Sequence, residues 1–412
     1  MLQIDHVYEF LHKELFYDFE FWSCKNGVVK TDNVDINDVS VFTPAHSYTK
    51  KIFFYDQEPF VPKLHTPYTG MFTWQNNVSL ERTISLNERG KIPYGMYINP
   101  LQVASFVNDP TTYNKQSILS TSEHSEYLTN FASNNNLTLL YYFFHGYAAL
   151  DWYRGYYALN YSKVVDKTYE YDYVSYNRII DNDRSYRIYF VSLLNELGLL
   201  NYGQVSFGVT DYESNWQDET SDVDSKLSES AKLHIEQHLT GINKLVIDRA
   251  DIHGSASADI PREPDAFWHI VTETVFYYDK LHLTEKIFKP IVSKQPFMLL
   301  AAPGNLAYLR SYGFKTFDSV IDEGYDLIQD NDLRTKAVVE QLNWYCNLSG
   351  DRKQQIIKQL EPIIEYNFNH FYTTFKHTIT QELLTNVQKL FKELDYSDSH
   401  INYNTIYKVL TA

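Results

Sequence analysis

Two cysteines in 412 residues, Cys24 and Cys346, are too few for a disulfide framework, and neither has a metal-type or redox-type neighbour. No apolar run reaches the ~20 residues that a membrane span needs, so no membrane span is expected. The opening stretch MLQIDHVYEFLHKELF carries acids and lacks the basic start and continuous apolar run of a signal peptide. A cytoplasmic, reducing location is therefore expected, and the Asn-x-Ser/Thr matches at Asn77 and Asn136 are incidental. Basic charge is also short: 36 Lys and Arg against 52 Asp and Glu give a net charge of -16 at pH 7. Such a chain is repelled by phosphate backbones in general, although a local cleft can still focus positive charge. HKELF, SYTKKIFF, VPKLH and NERGK supply scattered cations and no dense cluster. Gly-x-Gly-x-x-Gly, a Walker loop and a glycine elbow around serine are all missing, which removes the usual dinucleotide, P-loop and serine-hydrolase readings.

Aromatic residues are abundant at 16%, with 35 Tyr and 25 Phe. Tyrosine packs a broad ring and keeps a polar tip, which suits sugar or base sites; coding bias in a genome produces the same excess. With 44% hydrophobic residues a large core is available, and the length favours two domains.

Strands alternate with helices along the chain. KKIFFYDQEPF predicts a short buried strand over Ile52 to Tyr55, stopped by Pro59. SILSTSEHSEYLTNFASNN predicts a strand to Ser122 and a helix from near Glu123, and the apolar run from Leu137 to Phe144 predicts a strand closed by His145 and Gly146. Runs too continuous for one-sided burial indicate parallel sheet. After a crossover near Lys163 to Tyr171, YDYVSYNR opens a second set. Asp181 to Leu200 predicts one helix with Ile188, Val191, Leu194 and Leu197 on a stripe. QVSFG, DAFWHIVTET, PFMLLA and FKTF predict strands, and LTEKIFKPIVSK a helix capped by Thr284. A helical tail follows, broken or kinked at Pro362. The fold expected is α/β, with Rossmann-like domains over 1–165 and 166–345 and a helical tail over 346–412.

In an open parallel sheet, ligands sit beyond the carboxyl ends of the strands. Asp56, Gln57 and Glu58 fall there, as do Glu123 with His124 and His145 with Gly146. In the second set Asn177, Arg184, Arg187, Glu273, Glu285, Lys286 and Lys289 fall there. Arginine and lysine suit a diphosphate, and a carboxylate suits ribose hydroxyls. An acid in the other domain is suited to deprotonate an acceptor hydroxyl. Taken singly each has an ordinary explanation: a solvated helix start, surface ion pairs, a strand-end histidine, turn caps. Their joint placement is what points to a site for group transfer. Metal signals are weaker. Asp181–Asp183 and Asp222–Asp224 have a metal-type spacing but sit in polar loops, and HIEQH puts His234 and His238 four apart with Ile235 where a zincin needs glutamate. A solvated helix face is the default for that pair, and no metal site is expected.

The stretch VTETVFYYDKLHLTEKIFKPIVSKQPFMLLAAPGNLAYLRSYGFKTF resembles the donor-binding block of fucosyltransferase-like glycosyltransferases, on Glu273, Thr284, Glu285, Lys286 and Gly304. VSYNRIIDNDRSYRIYFVSLLNELGLLNYGQVSFG is similar to the opening of the same domain, on Tyr176, Asn177, Arg184, Arg187 and Gly203. YDQEP and FFHGYAALDWYR look like transferases of phages and large viruses, some of which modify hydroxymethylated DNA bases. The resemblance implies a GT-B-like fold, two Rossmann-like domains facing a central cleft, with the donor in the C-terminal one. It implies an enzyme that transfers sugar from a nucleotide-diphosphate sugar, without metal or other cofactor and usually with inversion. The acceptor would be a glycan or a hydroxymethylated DNA base, in the host cytoplasm if the protein is viral. Glu285 would hold ribose, Lys286 the diphosphate, and Arg184 or Arg187 part of the phosphate charge. Tyr176 or Asn177 would touch the nucleotide, with Glu273, Thr284 and Lys289 completing the donor side. For the base, Asp56, Glu58 and Glu123 compete, with His145 and Asp151 behind them. The alternative is a non-catalytic nucleotide-binding or structural protein on a degenerate transferase fold.

Overall fold

The computed structural model describes residues 7, 10–16, 19–23, 50–55, 116–159, 163–180, 182–208, 217, 220, 226–242, 245 and 265–412. Asp56, Glu58, Asp181 and the Asp222–Asp224 triplet lie outside them. The chain divides into two compact units, residues 1–151 with 377–412, and residues 152–376. This division differs from the expected 1–165, 166–345 and 346–412 in two places. The first boundary falls ahead of the predicted crossover, and the helical tail is shared between the units.

The first unit holds a parallel sheet of β1 (Glu20–Ser23), β2 (Lys50–Tyr55), β3 (Gln116–Thr121) and β4 (Leu137–Tyr141), in that order. Ile52 pairs with Ile118, and both are buried, as are Leu119 and Leu140. Helix α1 (Glu126–Asn134) starts three residues after Glu123 because Ser125 is its cap, accepting from the Leu128 amide at 3.2 Å. The apolar run after Leu137 is two elements, not one. The strand ends at Tyr141, and α2 (Phe144–Trp152) takes His145 and Gly146 into its first turn. Every residue of α2 from Phe144 to Asp151 is buried, so it carries no polar face and its sequence has no helical period to read. The helix Lys376–Glu393 belongs mainly to this unit for a physical reason. It buries Ile379, Leu383, Leu384, Val387, Leu390 and Phe391 on one stripe. Thr380 takes a hydrogen bond from the Tyr147 hydroxyl at 3.0 Å, and Asn386 donates to the Tyr141 carbonyl at 2.9 Å.

The second unit holds β5 (Tyr171–Asn177), β6 (Gly203–Phe207), β7 (Ala266–Thr272) and β8 (Phe297–Leu300), all parallel, in the order β6-β5-β7-β8. Strand β7 is buried along its whole length, which is why AFWHIVT shows no alternation. Tyr173 of β5 pairs with Gly203 of β6, and its ring occupies the place of a side chain: a Cβ on Gly203 would fall 2.4 Å from ring carbons. The predicted helix over 181–200 is shorter. After a 3-10 turn at Asn182–Arg184, α3 runs Tyr186–Glu196, and Gly198 at φ 68° stops it. Ile188, Val191 and Leu194 are buried as expected, whereas Leu197, past the last turn, is exposed.

Further helices of this unit are α4 (Glu229–His238), α5 (Phe288–Val292), α6 (Asn305–Ser311) and α7 (Asn331–Cys346). FKTF is not a strand: Phe314 and Phe317 are buried, and the Phe317 amide donates to the Glu323 carboxylate at 2.6 Å rather than to a neighbouring strand. Pro362 sits inside α8 (Gly350–His370), which continues through it. The stripe Ile356, Ile357, Leu360, Ile364 and Phe368 is buried on either side, and that packing outweighs one lost backbone bond. The result is a predominantly helical α/β fold with two parallel sheets, consistent with a Rossmann-like arrangement. Among the described residues no helix is long and apolar enough to cross a membrane.

Candidate functional site

The strand order of the second unit reverses between β5 and β7: β6 is added on one side of β5, and β7 and β8 on the other. The chain segments leaving β5 and β7 therefore part at their carboxyl ends, and a parallel sheet opens its crevice at such a point. Tyr176 and Asn177 end β5, and Glu273 follows β7.

Glu273 is fully buried and organises this edge. Its carboxylate accepts from the Thr284 amide at 3.1 Å, the Thr284 hydroxyl at 2.6 Å and the Thr274 amide at 3.0 Å. Burial pushes its pKa above the usual carboxylate range, against the Lys286 ammonium and the Thr284 hydroxyl, which hold it down. Glu273 thus ties the loop 274–284 back to the end of β7. Thr284 also caps the 3-10 turn Glu285–Ile287 that leads into α5.

Lys286 is half-buried, and its ammonium donates to Thr274 at 3.1 Å, Thr284 at 3.2 Å and Glu285 at 3.1 Å. Glu285 is itself buried, and its backbone carbonyl lies 3.5 Å from the Tyr153 hydroxyl. Burial, then the charge of Glu285, raise the Tyr153 phenol well above its ordinary value, so it stays a neutral donor. Farther along, the Lys289 ammonium lies 6.0 Å from the centre of the Tyr176 ring, which is tilted against His269 at 5.4 Å. Burial, helped by Lys289, lowers His269 to about 3 and keeps it neutral.

Asn177 is buried at the end of β5. Its amide nitrogen donates to Ser175 at 3.0 Å and its backbone to Ser206 at 3.0 Å. Its side-chain oxygen has no hydrogen-bond partner among the described residues. Arg184 is half-buried in the 3-10 turn ahead of α3. Arg187 does not offer its fork to a ligand: it is buried, and it donates to the carbonyls of Ile179 at 2.8 Å, Thr272 at 2.7 Å and Glu273 at 3.3 Å.

Arg334 of α7 is a second such clamp, and no motif in NDLRTKAVVE marks it. Its guanidinium donates to the carbonyls of Ala301 at 2.9 Å, Ile328 at 2.7 Å and Phe276 at 3.0 Å. Two buried arginines therefore hold the backbone that leaves β7 and β8.

In the first unit, Glu123 is buried two residues past β3 and accepts from the Ser125 hydroxyl at 2.8 Å. His145 is buried at the start of α2, with its ring edge-on to Phe144. Of the expected residues, the structure brings together Tyr176, Asn177, Arg187, Glu273, Thr284, Glu285, Lys286 and Lys289 around β5, β7 and the turn into α5. A surface concavity of about 330 Å³ elsewhere in the second unit shares no residue with this edge. Its cation, Arg310, is paired with Glu323 and Thr316. Compared with known proteins, the chain matches no family model, no curated protein and no solved structure.

Proposed function

We propose that the second unit binds the diphosphate of a nucleotide sugar at the β5–β7 edge, and that the protein is a metal-independent, inverting glycosyltransferase of the GT-B type. The observation that carries this reading is the reversal of strand order, with an unpartnered Asn177 oxygen and the Lys286 ammonium at the edges it separates. Lys286 and Lys289 supply positive charge for a diphosphate leaving group, the Asn177 oxygen accepts from a base or ribose donor, and the Tyr176 ring offers a stacking face. A glycan or a hydroxymethylated DNA base is the acceptor.

One observation favours a second reading, a non-catalytic protein on the same fold. Arg187 is spent on backbone carbonyls, and all three donors of Lys286 already have partners. Calorimetry with a panel of nucleoside diphosphates and nucleotide sugars, with and without magnesium, separates the readings. The transferase reading expects magnesium-independent micromolar binding of one nucleotide class, slow hydrolysis of its sugar, and a loss of at least about tenfold, ~1.4 kcal/mol, in Lys286→Ala. Binding without turnover supports a non-catalytic nucleotide-binding protein, and no binding across the panel overturns the transferase reading in favour of a structural protein.

A further inference from the structure

Outside the donor edge, and independently of it, helices α3 and α4 bring three metal-ligating side chains together. Glu196 is the last residue of α3, and His234 and His238 lie one turn apart on α4. His234 Nε2 is 3.0 Å from Glu196 Oε2, and His238 Nε2 is 3.8 Å from Glu196 Oε1. One ligand atom from each of the three lies within 4.8 Å of the others. A tetrahedral zinc ion with bonds of about 2.0–2.2 Å spaces its ligands by roughly 3.3–3.6 Å, so side-chain shifts of an ångström or less close the site.

The surroundings decide which nitrogen faces the centre. The Ser192 hydroxyl donates to the Tyr189 carbonyl at 2.7 Å. It has one proton, so at 3.0 Å from His234 Nδ1 it accepts, and Nδ1 carries the hydrogen. That leaves Nε2 pointing at a carboxylate. A neutral ring would set a lone pair against Glu196, so the pair is complete only with a cation there, either a second proton on the ring or a metal ion. An outer partner that fixes the histidine tautomer is a regular companion of metal ligation. Asn195 adds a clamp, donating to the His238 carbonyl at 2.6 Å, and the His234 and His238 rings stack at 4.4 Å. The side chains of Glu196 and His238 are 39% and 32% exposed, which leaves a fourth position open to water.

We propose that Glu196, His234 and His238 form a site for a borderline divalent metal, zinc in the first instance, with water as the fourth ligand and α3 tied to α4 by the ion. Imidazole and carboxylate donors suit zinc and cobalt, and three protein ligands with one open position is a common zinc arrangement. The Lys336 ammonium acts on the same carboxylate and opposes a divalent ion, so Lys336→Met should tighten binding.

The test is titration of the chelator-treated full chain with Co²⁺, then displacement by Zn²⁺, well above the ordinary histidine pKa of about 6.5 so that protons do not compete. The proposal expects one equivalent bound, a tetrahedral cobalt spectrum and a higher melting temperature with metal. It also expects at least a tenfold loss of affinity in both His238→Ala and Glu196→Gln, with unchanged circular dichroism in the metal-free state. No binding at micromolar metal overturns it. Binding that both variants retain also overturns it, because the metal would then sit on other residues of the chain.

Discussion

Glu273 and Glu196 are both glutamates of the second unit, each beside cationic or ring nitrogen groups, and they are used in opposite ways. Glu273 is fully buried, and the hydrogen-bond partners of its carboxylate are groups of the loop that it fastens. Glu196 is partly open to solvent and faces two imidazoles. The first has exchanged water for a complete set of protein donors and serves the backbone. The second keeps solvent access and can exchange its partner. Burial marks a scaffold residue at this edge, and it separates Arg187 and Arg334 from Lys286. The arginines are buried among carbonyls, while the lysine keeps about a quarter of its side chain exposed, at 28%.

The largest expected effect breaks the scaffold side of that contrast. Arg334→Met strands several buried carbonyls and removes a guanidinium that burial has already pushed down to about 10. A loss of about 3 kcal/mol or more in urea unfolding is expected. A loss under about 1 kcal/mol would mean that the edge does not depend on its arginine clamps.

A smaller effect sharpens the contrast between the glutamates. Glu273→Gln turns an amide donor toward groups that also donate, and should cost about 2 kcal/mol. Glu196→Gln in metal-free protein should stay within about 0.5 kcal/mol. The pH dependence has opposite signs. The raised carboxyl of Glu273 binds its proton more tightly when folded. Its contribution is therefore full below the ordinary value of 4.5 and is lost as pH rises toward the folded value. Glu196 is lowered, first by the hydrogen bond from His234, so its contribution is present above 4.5 and is lost as pH falls through the folded value. Stability–pH curves of the two variants against the parent chain should differ on opposite sides of that value. Curves that differ on the same side would show that the two carboxylates do not sit in opposite environments.

Much of the fold was readable because its signals are local. The continuous apolar stretches FWHIV and FMLL became buried parallel strands, Thr284 became a cap, and the clustering of Glu273, Thr284, Glu285 and Lys286 followed from their places after β7. What was not readable depends on partners distant in sequence. In sequence Arg187 resembles a phosphate ligand, because a helix-borne arginine near a strand end carries no mark of the three carbonyls it meets. The run after Leu137 read as one strand because a helix buried all round lacks the polar face that gives a helical period. FKTF has the pattern of a strand because burial of two phenylalanines is all that this pattern reports. His234 and His238 were visible as a spaced pair, but their third partner, Glu196, is 38 residues away from His234.

Under the proposed function, the edge between β5 and β7 receives a nucleotide diphosphate. Hydrogen exchange with and without the nucleotide selected by calorimetry tests it most directly. Added protection confined to residues 174–187 and 272–289, lost in Lys286→Ala, is expected. Protection elsewhere in the second unit, with those two segments unchanged, would contradict it.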